Sequence, residues 1–131
     1  MTIHLLSYLL KKTALQLIKL ACLDGYSTYD GRRIAMMYKT SSRKKVPIPI
    51  NPELHIFAFP TMSPSQFDCN WIFYNHVQAI KPTTKKLSQT IITFKYKEQL
   101  ALKESYYTIE KQMYRTAVCM LSFSQQNKQS S

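Results

Sequence analysis

Proline spacing constrains this chain more than any other feature. Pro47, Pro49, Pro52, Pro60 and Pro64 all fall within "VPIPINPELHIFAFPTMSP" at 46–64. Proline has no N–H to give a sheet ladder, so it is confined to edge strands, strand starts and loops. The arm carrying Pro47 and Pro49 is therefore expected at a sheet edge, or merely extended. "INPEL" is a turn signal and 55–59 a strand, so 46–59 reads as a hairpin. Ile56, Phe57 and Phe59 are expected to build the sheet core. "PTMSPSQFD" reads as a loop that returns the chain to Trp71, the only tryptophan. Cys69 is expected to pack near that indole as a small apolar residue.

The remaining elements are read from periodicity. "ALQLIKLACL" (14–23) alternates imperfectly and reads as a strand covered on both faces, with a short helix as the alternative. "DGYSTYDG" (24–31) holds two Asp-Gly pairs and reads as a turn. From Arg32 a helix is expected, with Ile34, Met36 and Met37 on one side, ending in Thr-Ser-Ser. "NWIFYNHVQAI" (70–80) reads as one strand. In "QTIITFKYK" (89–97) the set Thr90, Ile92, Phe94 and Tyr96 is expected to face the core, and 99–103 to pair back on it. The last helix places Ile109, Met113, Thr116, Ala117, Met120 and Leu121 at three- and four-residue spacings, with Ser105 as its N-cap. The expected fold is α+β: an antiparallel sheet of about five to six strands against a C-terminal helix and one shorter helix. One domain over 1–124 and a disordered polar tail at 125–131 are expected.

Charge narrows the function classes. Lys+Arg is 18 against seven Asp+Glu, a net charge of +11. Most of the excess lies in residues 11–45, with nine basic and two acidic residues. Such a field draws a polyanion: DNA, RNA or an anionic membrane surface. Arg32, Arg33, Lys39, Arg43, Lys44 and Lys45 fall within fourteen residues with no acid among them, which favours binding over a merely solvated face. The Lys85–Lys86 pair, in a turn, is read as solvated charge.

Catalysis has little sequence support. The acidic residues are dispersed, and two glycines cannot make a phosphate loop. Cys22, Cys69 and Cys119 are an odd, widely spaced set, which argues against a disulfide framework and fits a reducing cytoplasm. No metal or cofactor is expected. A Cys69–His76 nucleophile pair is the one enzymatic arrangement to weigh, against a buried structural cysteine. "IHLLSYLL" (3–10) is too short to span a membrane, and Lys11, Lys12 and Lys19 break up any longer apolar run.

Four stretches then carry a family resemblance. They are Gly31-Arg32-Arg33 after Ser27 and Tyr29, "NPELHIFAFPTMSP" at 51–64, "CNWI" at 69–72 with His76, and "QMYRTA" at 112–117. In this order and spacing, from Cys22 to about Phe123, the chain resembles the ComK competence transcription factors of Gram-positive bacteria. It departs from them at Tyr26, where glycine is usual, at Tyr74, where histidine is usual, and at Asp68, where glutamine is usual. It also looks like a shortened member without the usual N- and C-terminal extensions.

The resemblance implies a DNA-binding activator of DNA-uptake genes. It would recognise A/T-rich promoter boxes on double-stranded DNA, approached from the minor groove. A homo-oligomer (dimer or tetramer) and, in full-length members, a proteolytic adaptor would be its partners, with no membrane involved. Arg32, Arg33, Lys39, Arg43, Lys44 and Lys45 are the expected DNA contacts. Arg115, inside the "QMYRTA" helix, is another candidate, against a structural role across the sheet. The alternative is a truncated paralogue that binds no DNA and modulates a full-length partner by hetero-oligomerisation.

Overall fold

A computed structural model describes residues 12–85 and 87–130, with side chains as far as Gln125. The apolar stretch 3–10 and Lys86 lie outside the described residues, as do the side chains of most of the polar tail.

The first element corrects the strand expected at 14–23. Ala14–Asp24 is a helix, α1. Thr13 Oγ1 accepts from Gln16 N–H at 3.1 Å, and Gln16 Oε1 accepts from Thr13 N–H at 2.9 Å. This reciprocal box satisfies two donors that the first turn leaves free. Ala14, Leu17, Ile18 and Cys22 are its buried residues, at the spacings of one helical face. The helix ends at Gly25, whose N–H reaches Ala21 O and Cys22 O. A β-carbon on Gly25 would sit 2.8 Å from Ile50 O. Only glycine allows this helix end to lie against the sheet that comes next.

Tyr26 comes next, with φ 62° and a side chain 99% exposed. A bulky residue in the left-handed region is strained. Tyr26→Gly removes the strain and no buried contact, while loosening the unfolded chain. A net gain of about 0.5–1 kcal/mol is expected, raising Tm by about 2–4 °C in thermal unfolding. A lowered Tm would refute this reading of Tyr26.

Tyr29–Thr40 forms the second helix, α2. It starts inside the stretch expected to be turn, because Thr28 Oγ1 caps Gly31 N–H at 3.1 Å. Met36 and Met37 are half-buried, but Ile34 is exposed. Ile34 therefore does not join the buried face expected for it.

Among the described residues six strands make up the sheets. Ile48–Asn51 (β1), Ile56–Pro60 (β2) and Trp71–Phe73 (β3) make one antiparallel sheet in the order β1-β2-β3. Pro49 lies opposite Phe57 on the edge strand, the position in a sheet where proline is tolerated. Val77–Pro82 (β4), Thr90–Phe94 (β5) and Gln99–Leu102 (β6) make a second sheet in the order β4-β5-β6. The α+β class stands, with two three-stranded sheets where one was expected.

The division falls inside the single strand expected at 70–80. A 3-10 turn at Tyr74–His76 ends β3 and redirects the chain into β4, while Lys95 N–H donates to His76 O at 2.8 Å. Tyr-Asn-His supplies the polar break in an otherwise apolar run.

Successive strand side chains point to opposite faces, and β2 serves two cores this way. Ala58 joins Ala14, Ile18, Cys22, Tyr29, Ile48, Ile50, Cys69 and Trp71. Phe59 joins Ile72, Ile92, Phe94, Leu102 and Ile109. Thr90, Ile92 and Phe94 are buried as expected. Tyr96 is 52% exposed and stacks on Phe94 at 5.6 Å, outside the core.

The third helix, α3, spans Tyr106–Ser130. Ser105 Oγ accepts from Thr108 N–H at 3.2 Å, the expected cap. Its buried face differs from the expected one. Ile109, Gln112, Thr116 and Cys119 are fully buried, whereas Met113, Ala117 and Met120 are half-buried and Leu121 is exposed. Hydropathy missed Gln112 because its burial depends on hydrogen-bond partners far away in sequence. Among the described residues no helix is long and apolar enough to cross a membrane.

Candidate nucleic-acid interface

Two residues with left-handed backbone bracket the basic turn. Ser41 ends α2 at φ 55°, and Lys45 sits at φ 53° just before β1. Neither is glycine, so both conformations are held by their surroundings. Three anchors hold the turn between them. Arg33 Nη2 donates to Arg43 O at 3.1 Å. Ser42 Oγ donates to Lys44 O at 3.1 Å. Gln112 Nε2 on α3 donates to Lys45 O at 2.8 Å and to Pro60 O at 2.9 Å.

The turn and the first half of α3 enclose an open cleft of about 370 Å³. Among the described residues five cations line it: Arg43, Lys44, Lys45, Lys111 and Arg115. No carboxylate does. Arg43, Lys44 and Lys111 are exposed, while Lys45 and Arg115 are half-buried. Arg115 Nη1 donates to Gln112 Oε1 at 3.3 Å. Uniform charge in a concave surface focuses the field, and a polyanion is the ligand it favours.

Of the seven expected contacts, Arg43, Lys44, Lys45 and Arg115 meet in this cleft. Arg33 is not in its lining and ties the turn to α2. Arg32 and Lys39 line a separate, largely apolar groove between α2, β1 and α3. Arg32 Nη2 donates to Gly25 O at 3.1 Å, so this side chain braces the α1–α2 junction. Lys39 is exposed on the last turn of α2, where its charge complements the helix dipole. Sequence reasoning missed Lys111, although it precedes Arg115 by four residues and so shares its helix face. Gln112 was also missed, although it opens the "QMYRTA" stretch.

Cys69 is buried beside Trp71 as expected, with Sγ 3.5 Å from Met62 O and Asn70 O. Burial pushes its thiol above the ordinary cysteine value. His76 is exposed and packs between the rings of Phe73 and Tyr96. It is not among the hydrogen-bond partners of Cys69, so the two form no nucleophile–base pair here. Burial likewise raises Cys22, and it pushes Cys119 up to about 11.

The family model of the ComK protein matches residues 3–128. The chain belongs to the ComK family. A competence transcription factor of Bacillus subtilis (strain 168) is 36% identical over 103 residues, 79% of this chain and 53% of that protein. The chain thus spans about half the length of the curated relative it matches. No solved structure matches it. Both the basic turn and the α3 wall of the cleft fall inside the ComK match.

Proposed function

We propose that this ComK-family chain is a non-enzymatic regulator of competence genes that binds double-stranded DNA through the cleft between residues 41–45 and α3. The observation that carries the reading is the convergence of five cations from two distant segments on one concave surface with no acid in its lining. Lysine and arginine there neutralise phosphates and fix register, while sequence preference arises from groove shape. An A/T-rich minor groove is narrow and electronegative, so arginine enters it favourably. That supports recognition of A/T-rich promoter boxes from the minor groove. From the ComK-family match we further propose an activator that acts in the cytoplasm as a homo-oligomer, each copy engaging one box.

A gel-shift titration with an A/T-rich duplex over a salt series tests the reading. Five phosphate contacts predict a log–log slope of about −4 to −5 and a loss of about 10²–10³-fold between 50 and 200 mM salt. Salt-independent binding would refute the cleft as the DNA surface. So would tighter binding to phosphatidylglycerol vesicles than to duplex. Co-purification with a full-length relative in the absence of DNA binding would favour a hetero-oligomeric modulator instead.

A further inference from the structure

Gln112 is a polar residue with 1% exposure on the inner face of α3. Its amide nitrogen has two hydrogens, and both are committed, to Lys45 O and Pro60 O. This fixes the orientation of the amide, because a flipped amide would oppose two carbonyls with its own oxygen. Oε1 is thereby aimed at Arg115 and accepts from Nη1. One buried side chain therefore sets both the backbone of the basic turn and the direction of the cleft's most enclosed guanidinium.

We infer that the cleft seats one backbone phosphate on Arg115, and that Gln112 is the positioning residue that holds the guanidinium toward it. The inference rests on reading the cleft as a DNA surface and deepens that reading. Arginine has five N–H donors in a rigid fork. Gln112 takes one, and no carboxylate lining the cleft competes for the rest. The free edge of the fork matches two oxygens of a phosphodiester. Arg43, Lys44 and Lys111 are exposed on flexible stems and contribute charge around this fixed point. Lys45, whose carbonyl Gln112 holds, enters the same cleft from the opposite wall.

The test is anisotropy of a labelled A/T-rich duplex with the full chain over a sodium chloride series. Gln112→Met keeps the side-chain volume and removes the hydrogen bonds. Arg115→Ala is expected to weaken binding about tenfold and to flatten the salt slope by about 0.9, the signature of one lost phosphate, and Gln112→Met, which also releases the Lys45 carbonyl, to do so at least as much. The double variant is expected to lose no more than Gln112→Met alone, because that change already removes the Arg115 contact. A merely structural Gln112 would give multiplied effects, or a wild-type slope in Gln112→Met, and either result overturns the inference.

Arg115→Lys covers the case in which Gln112→Met fails to fold. It keeps the charge and loses the fork, so about a fivefold loss is expected, and wild-type affinity overturns the inference. A wild-type chain that shows no salt-dependent binding overturns the DNA reading itself. Wild-type binding with unaffected variants overturns only the role of Gln112 and Arg115.

Discussion

Phe59→Ala is expected to destabilise the protein by about 3–5 kcal/mol. Phe59 is completely buried on the central strand of the first sheet. Its ring lies among Ile72 of that sheet, Ile92, Phe94 and Leu102 of the second, and Ile109 of α3. Removing it takes away the transfer free energy of an aromatic ring. It also leaves a cavity that two sheets and a helix cannot all close. Native stability is of order 5–15 kcal/mol, so this loss is a large share of the whole. Urea unfolding checks it: the midpoint should fall sharply while the slope is retained. Phe59→Leu should lose under about 1.5 kcal/mol, because it refills most of the space. A loss under about 1.5 kcal/mol for Phe59→Ala would mean that Phe59 does not join the two sheets.

The second large effect is on binding. Arg43→Ala/Lys44→Ala/Lys45→Gly removes three of the five cations lining the cleft. Glycine is chosen at position 45 because the backbone there has φ 53°. Each phosphate contact contributes about 0.9 to the salt slope, so the slope should shrink by about 2.7. Affinity at 100 mM salt should fall about 10²–10³-fold. Stability should change little, since Arg43 and Lys44 are exposed and the Lys45 carbonyl bonded by Gln112 belongs to the backbone. Lys39→Ala is the single-charge control: it removes one positive charge, from the apolar groove, and should leave the slope at the wild-type value. A loss for Lys39→Ala one third of that of the triple variant, the same per charge removed, would mean that net charge, and not the cleft, governs binding.

Local chemistry made much of the fold legible. The prolines placed β1 at an edge, alternation placed Thr90, Ile92 and Phe94 inside, and Ser105 marked the start of α3. The reading of 14–23 failed because Leu15 and Leu17 suggested a period of two. Thr13 and Gln16 already offered a capping box, and Ala14, Leu17, Ile18 and Cys22 already kept helical spacing. The break at Tyr74–His76 was hidden by the apolar residues on either side, since hydropathy does not say which sheet a strand joins.

The candidate site was half legible. The run at 43–45 is plain in the sequence. Its meeting with Lys111 and Arg115 depends on how α3 docks, and local periodicity carries no such information. Gln112 was the least legible of all, because its burial requires carbonyls 52 and 67 residues away in the chain.

That last separation matters for the chain as it is made. The bond from Gln112 to Lys45 closes a loop of 67 residues, and long loops form late because their entropy cost precedes any reward. The ribosome releases the three cations of the turn well before the helix that gives them shape. A nascent chain, or one whose last helix has been clipped by a protease, would carry the charge without the grip. Competence for binding would then report that synthesis and docking are complete, and a half-made chain would hold nucleic acid only loosely and without register.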